Sequence, residues 1–281
     1  MSKNKKEIPR AKSERIWELD ALRGLMILCV LCYHLYVTVD AFCIQGYYTK
    51  LDPYQYVNSS DPLHFWFDWG ADGEIYRNCD LWGMLDFIHY TMVNTFFVVS
   101  GISVTFSRGV MKRSVVLLGA AYIVSLFTWC MGVYGNEPSL FIRFGVLQCY
   151  GYSWFLYGCF FEKCKRRTLL LASAVVIPLG YWLWFEGIMS DSALLYPFGV
   201  QQFGVSSSDY WPLCPYFGWF LIGAVLGRTL YRERKTLLPR WNGRRMRWLQ
   251  TLGKYSGQIY FAHIFVYTAV FMAIGWILNL F

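Results

Sequence analysis

Apolar residues run in blocks of close to twenty positions from Leu19 onward, and each block ends in charged or turn-forming residues. About 20 apolar residues is what an α-helix needs to cross a hydrocarbon layer of roughly 30 Å. The blocks lie near Ala21–Val39, Gly83–Phe106, Ser114–Tyr134, Leu140–Phe161, Thr168–Ile188, Cys214–Tyr231 and Ser256–Leu280. They predict an all-α fold, a polytopic membrane bundle of seven transmembrane helices. Residues 1–17 read as a polar cytoplasmic tail and 18–281 as one membrane domain, with no low-complexity linker and no internal repeat. Residues 40–82 form a longer connection than a structureless loop in a compact domain normally is. Its aromatics, Tyr47, Tyr48, Tyr54, Tyr56, Phe65, Trp66, Phe67 and Trp69, read either as an interfacial belt or as a platform on which sugar rings stack.

Charge between the blocks gives the orientation, because Lys and Arg accumulate in short cytoplasmic loops. A cluster from Lys3 to Arg23 precedes the first block, and Arg108, Lys112 and Arg113 follow the second. Lys163, Lys165, Arg166 and Arg167 follow the fourth, and the largest cluster, Arg228 to Lys254 with Arg244, Arg245 and Arg247, follows the sixth. All these fall on one side. The other side holds Lys50 and Arg77 among Asp40, Asp52, Asp61, Asp68, Asp72, Glu74, Asp80, Asp191 and Asp209, which puts the N-terminus inside and the C-terminus outside. The composition, 56% hydrophobic and 16% charged, fits a chain whose main partner is the lipid bilayer, and topology accounts for the net charge of +8 without a nucleic-acid partner.

The first block follows a basic stretch, as a signal peptide would. No small-x-small cleavage site follows it, and it exceeds the usual ~7–15 apolar residues, so it reads as a permanent helix. Most of the nine cysteines fall in or beside the blocks, where they pack as small apolar residues. Cys43 and Cys79 lie in the exterior connection, where an oxidising compartment would allow a disulfide between them.

The stretch LDALRGLMILCVLCYHLYV carries Asp20, Arg23 and His34 into the first block. Arg23 and His34 are separated by about 16 Å of helix and three turns plus roughly 20°, so they share a face, with Asp20 one turn below Arg23 to pair with it. Ionisable groups at such depth are costly and normally face a cavity or a partner. For His34 the alternative is a buried neutral ring donating to a carbonyl. In the second block Asp86 and His89 stand one turn apart, with Asn94 deeper on the same helix. They orient His34 or an acceptor, or else simply lie near the exterior interface. Arg143 falls within the fourth block, with Tyr150 on its face and Gln148 deeper; these bind a substrate, or Arg143 pairs with Asp86. Gln258 and His263 close the last block, in a chemical or a structural hydrogen-bonding role.

Arg23, ten intervening residues and His34 resemble the R-x10-H signature in the first helix of membrane-bound acyltransferase-3 proteins. The blocks ERIWELDALRGLMILCVLCYH, NTFFVVSGISVTFSR, FIRFGVLQCYG, PLCPYFGWFLIGAVLGR and LGKYSGQIYFAHIFVY, in that order, resemble the catalytic domain of heparan-alpha-glucosaminide N-acetyltransferases. The resemblance implies transfer of an acetyl or longer acyl group from cytosolic acetyl-CoA to an extracytoplasmic sugar amine or hydroxyl, carried on a glycan or glycolipid. It implies acetyl-CoA as donor substrate and no metal. Cations at the cytoplasmic openings, Arg23 with Asp20, Arg108, Lys112 and Arg113, would attract the donor's phosphates, or else only set topology. Acyl transfer needs a base for the acceptor's proton, and His34 is the first choice because an imidazole can take up a proton near neutral pH. In the heparan enzymes the catalytic histidine precedes the second helix. The aligned stretch here, NCDLWGMLDFIHY, puts Asp80 near that position and His89 as the nearest histidine, so both join Asp86 as further catalytic candidates.

Two other classes remain open on the residues alone. A small-solute transporter would use the intramembrane charges but normally shows paired halves. A seven-helix receptor conflicts with an inside N-terminus. The lack of a large exterior N-terminal domain in this sequence points to a bacterial cytoplasmic membrane, with a homo-oligomeric state left open.

Overall fold

The computed structural model describes residues 15–43, 81–134, 138–205, 207, 209–241 and 243–277. Eight α-helices account for most of them: α1 Trp17–Cys43, α2 Leu81–Val104, α3 Val110–Tyr134, α4 Val146–Leu156, α5 Arg166–Phe185, α6 Leu213–Thr229, α7 Arg247–Lys254 and α8 Ser256–Ile277. Helix α4 runs on into a π-helical turn, Tyr157–Phe161. The strands among the described residues, β1 Met189–Ser190 and β2 Gln201–Gln202, pair in parallel over two residues each. The all-α expectation holds.

Four helices are long and apolar enough to cross a membrane, in the segments Phe87–Val104, Val110–Tyr134, Arg166–Phe185 and Ser256–Ile274. The other expected spans are helical but do not meet that measure over the described residues. Helix α1 opens with Glu18, Asp20 and Arg23 in its first two turns, α6 has 17 residues, and α4 has 11 before its π turn. The fourth apolar block is where pattern and backbone part. Its first residues pair as extended chain, with Phe144 bridging Tyr210, and the helix starts only at Val146. The start is set by polar groups: Gln148 Oε1 accepts the Gly145 N–H at 3.0 Å and Asp209 Oδ2 accepts the Val146 N–H at 3.0 Å. Arg143 therefore lies in the approach to α4, exposed above the Phe141 ring, and not inside a span. Helix α7, unforeseen in the basic cluster, is a short amphipathic element between α6 and α8. Asp80, Cys79 and the connection from 44 to 80 lie outside the described residues, as do the side chains of Cys43 and Asp86, so the expected disulfide and exterior aromatic loop do too.

The helices meet backbone to backbone at glycines. A Cβ at Gly101 of α2 would sit 1.9 Å from the Phe220 carbonyl oxygen of α6, and one at Gly223 of α6 would sit 1.9 Å from the Val98 carbonyl oxygen. Helices α1 and α7 cross in the same way, through Gly24 against Leu249 and Gly253 against the Asp20 carbonyl. Apolar helices gain no hydrophobic stabilisation from leaving lipid for one another, so small residues that permit such close packing carry the association. Around the α2–α6 seam lies an aromatic core of Phe97, Trp154, Tyr157, Tyr216 and Phe220. Apolar residues are turned outward on α3 and α5, including Val115, Ile123, Leu126, Leu171, Val175 and Trp182, as a lipid-facing surface requires.

Gly101→Ala is expected to destabilise the detergent-solubilised protein by about 1–3 kcal/mol through overpacking. Gly119→Ala, with nothing within 4 Å of an added Cβ, is expected to leave the thermal midpoint unchanged or slightly raised. Parallel thermal unfolding of the two variants checks the pair.

Candidate active site

A cavity of about 1060 Å³ runs between α1, α2, α3, α4 and α8. At one end stand Arg108, Lys112 and Arg113, from the turn into α3 and its first residues, all exposed. At the other end stand His34 and His89 beside Trp211 and Tyr260. Between them the walls are apolar: Met26, Ile27 and Val30 of α1, Val93 and Phe96 of α2, and Val116 and Leu117 of α3. Tyr150 and Trp154 of α4 close the side, Trp154 held by its indole N–H donating to Ser100 Oγ at 2.9 Å. The volume sits at the upper end of what small-molecule sites enclose.

The histidine end is built from three helices. His34 Nδ1 lies 2.6 Å from His263 Nε2, with the rings near parallel at 3° and 4.8 Å between centroids. His263 Nδ1 hydrogen-bonds the Tyr260 carbonyl one turn earlier in α8. The Tyr267 hydroxyl, one turn beyond His263, donates to the Leu31 carbonyl of α1 at 3.0 Å, which fixes α8 against α1 at the same level. His89 of α2 stacks on Tyr33 at 3.9 Å and meets the Trp211 ring edge-on at 5.4 Å, with its Nδ1 buried and without a hydrogen-bond partner. Among the described residues no group of three or more His, Cys, Asp and Glu is placed to hold a metal ion.

The structure thus brings together His34, His89, Arg108, Lys112, Arg113 and Tyr150 from the expected set, and puts His263 behind His34. It sends the others elsewhere. Arg23 pairs with Asp20 at 2.6 Å and donates to Ser103 Oγ of α2, so that this charge ties α1 to α2 and does not line the cavity. Gln148, 2% exposed, is used up in the α3–α4 seam: its amide donates to the Ala121 carbonyl and to Ser125 Oγ while its oxygen caps Gly145. Asn94 lies off the cavity wall, its Oδ1 buried and unpartnered.

Trp211 and Tyr260 escape a sequence reading. Trp211 sits in the polar segment before α6, and only its pairing with Phe144, its N–H donating at 3.1 Å, carries the ring to His89. Tyr260 stands three residues before His263, the one local signal that its carbonyl could meet that ring. Two residues before Trp211, in the connection between α5 and α6, Asp209 caps α4, and burial pushes its carboxyl up to about 6.

A family model described as heparan-alpha-glucosaminide N-acetyltransferase, catalytic, matches residues 62–265. No curated protein and no solved structure gives a significant match.

Two outcomes are expected from these contacts. Arg23→Ala leaves Asp20 buried with Arg15, at 3.5 Å, as its one cation among the described residues, and should destabilise the protein by about 3 kcal/mol; thermal unfolding reads this directly. The raised Asp209 carboxyl binds its proton more tightly folded than unfolded. Its stabilising contribution is therefore present below pH ~4 and lost as pH rises through ~6. Asp209→Asn should remove that component, so the difference in thermal midpoint between variant and wild type should widen between pH 4 and pH 6.5 and then level off.

Proposed function

The chain belongs to the heparan-alpha-glucosaminide N-acetyltransferase catalytic family, and on that footing we propose that it passes an acetyl group from cytosolic acetyl-CoA to an extracytoplasmic sugar amine or hydroxyl. The family and the four membrane-length helices make it a membrane acetyltransferase. The donor, the acceptor, the base, seven crossings and an inside N-terminus belong to the proposal, the crossings supported by the seven apolar blocks and the orientation by the charge asymmetry of the loops.

The observation that carries the reading is that one cavity joins a cationic mouth to His34, which is half-buried and bonded to the buried His263. Arg108, Lys112 and Arg113 would receive the donor's phosphates, where three positive charges raise the local concentration of a polyanion. The apolar walls from Phe96 to Val30 suit the thin arm that carries the thioester. His34 takes the proton from the acceptor nitrogen or oxygen as that atom attacks the thioester carbonyl. The tetrahedral intermediate collapses with cleavage of the C–S bond, and the thiolate leaving group recovers the proton from His34. Such general base catalysis contributes about 10²–10⁴-fold. His89, Asp80 and Asp86 remain the alternative acid–base groups, and Tyr150 of the cavity wall and Arg143 the alternative groups for the acceptor.

Purified protein in lipid nanodiscs is expected to bind radiolabelled acetyl-CoA and to acetylate an amino sugar or a hydroxyl-bearing glycan. His34→Ala should lower the transfer rate by about 10²-fold or more. Neutralising Arg108, Lys112 and Arg113 together should raise the donor KM and flatten its dependence on salt, with little change in kcat. Solute flux without CoA binding would overturn the enzyme reading, and an unchanged rate in His34→Ala would overturn the assignment of the base.

A further inference from the structure

We infer that the segment from Arg240 to Tyr255 is a docking surface for the headgroups of anionic phospholipids, in the leaflet at its end of the bundle. It requires only that the chain spans a membrane, and stands apart from the acetyl-transfer reading.

Helix α7 has two faces. At about 100° per residue, Arg247, Trp248, Thr251 and Lys254 fall within one arc of ~120°, and these are its exposed residues. The opposite arc holds Leu249, Gln250, Leu252 and Gly253, half-buried or buried, with Leu249 and Gly253 in backbone contact with α1. The 3₁₀ turn Gly243–Met246 before the helix is pinned as well. Gln250 donates to the Gly243 carbonyl at 2.6 Å, and a Cβ at Gly243 would sit 2.8 Å from the Trp17 ring. Further back, Glu18 of α1 accepts from the Thr236 hydroxyl at 2.7 Å and the Leu237 N–H at 2.8 Å. The outward face therefore rests on a fixed support.

That face mixes cations with large apolar groups. Trp241 and Trp248 are 65% and 56% exposed, Met246 is exposed between them, and Arg240, Arg245 and Arg247 are exposed alongside. The membrane-length segment of α8 starts at Ser256, two residues after Lys254, so the face lies at the membrane boundary. Tryptophan rings suit that boundary, where the ring meets acyl chains and the N–H meets headgroups. Arginines among them call for anions, and each Lys or Arg near an anionic leaflet adds to the attraction. From Arg228 to Lys254 the chain has nine Lys and Arg and one acid, Glu233, which pairs with Lys235 at 2.9 Å. The same charge argues against other occupants. Residues 1–14 carry Lys3, Lys5, Lys6, Arg10 and Lys12 against Glu7 and Glu14, and a second copy would set arginine against arginine. The acidic connection 44–80 leaves α1 after Cys43, about 30 Å of helix beyond Gly24.

Full-length protein in neutral detergent, titrated with dioleoyl phosphatidylglycerol or dioleoyl phosphatidylcholine, reads the preference when bound lipid is counted by native mass spectrometry. Phosphatidylglycerol is expected to bind about tenfold more tightly or better, with the difference shrinking as salt rises. Changing Arg240→Gln, Arg245→Gln and Arg247→Gln together should remove about tenfold of that preference. Trp241→Ala with Trp248→Ala should weaken both lipids by a similar factor, because the rings contribute burial and not charge. An equal loss of charge around the start of α5, Lys163→Gln, Lys165→Gln and Arg167→Gln, should leave the preference within about twofold of wild type. Equal affinity for the two lipids overturns the inference. So does the same loss in both triple variants, which would mean bulk charge and no defined surface. Displacement of phosphatidylglycerol by inorganic phosphate overturns it too, by marking a site for a free anion. Should the Arg240, Arg245 and Arg247 variant fail to fold, Arg245→Gln and Arg247→Gln singly decide, and an unchanged preference in both overturns the surface.

Discussion

Helix backbones in this protein touch where glycine lets them, and the position of the site follows from one such contact. At the α1–α7 crossing an added Cβ on Gly24 would fall 1.9 Å from the Leu249 carbonyl oxygen, and one on Gly253 would fall 1.8 Å from that of Asp20. No other residue type fits there. Helix α8 begins three residues after Gly253, so the crossing also fixes where α8 starts relative to α1. His34 and His263 each lie ten residues beyond their glycine, and they meet. A pair of hydrogen-bonded imidazoles deep in a helical bundle is thus the far end of a backbone contact near the opening of the first helix. The α2–α6 crossing at Gly101 and Gly223 sets α2, the helix that carries His89, against α6 in the same way.

Charge inside an apolar bundle is costly, yet the cost is met in two different ways. Arg23, Asp20 and Ser103 satisfy one another between α1 and α2. Arg228 donates to the Tyr157 hydroxyl and to the carbonyls of Phe161, Glu162 and Cys164, which closes the open end of α4 with a positive charge where the helix dipole is negative. Gln148 is satisfied to its last donor. These groups hold helices together, and none of them lines the cavity. His34, Arg108, Lys112 and Arg113 differ in lining one cavity. Depth in the membrane therefore marks a residue as constrained, while access to a shared cavity separates candidates for chemistry from fastenings.

This distinction is what the sequence could not supply. Periodicity and length exposed the helices, because twenty apolar residues have few other uses, and the R-x10-H spacing singled out His34. The same spacing suggested that Arg23 serves the site, since both residues share a face. The structure shows that a shared face eleven residues apart is long enough to pass from the α2 seam to the α8 seam. The start of α4 was illegible for a related reason. Phe141, Ile142 and Phe144 are as apolar as any span, and only the partners of Gly145 and Val146, one of them 63 residues distant, decide that the backbone is extended there. His263 was visible as a polar residue in the last helix, but its partner lies 229 residues away, beyond any local pattern.

The segment before α6 links these lessons. Asp209 caps α4 through the Val146 N–H, and two residues later the Trp211 N–H donates to the Phe144 carbonyl. Two adjoining bonds thus start the helix that carries Tyr150 and Trp154 and also place the Trp211 ring against His89. Neither wall of the cavity can move far without the other. Because the carboxyl that holds this joint is buried and titrates at about 6, its hydrogen bond to the α4 N-terminus passes from charged to neutral on mild acidification. A neutral acceptor is the weaker partner for a helix N-terminus. The relief of burying a charge opposes that loss, and the raised value shows that burial outweighs the hydrogen bonds. The joint is therefore more stable, yet less strongly polarised, at low pH, so fold stability and the electrostatics of the α4 end of the cavity change in opposite senses.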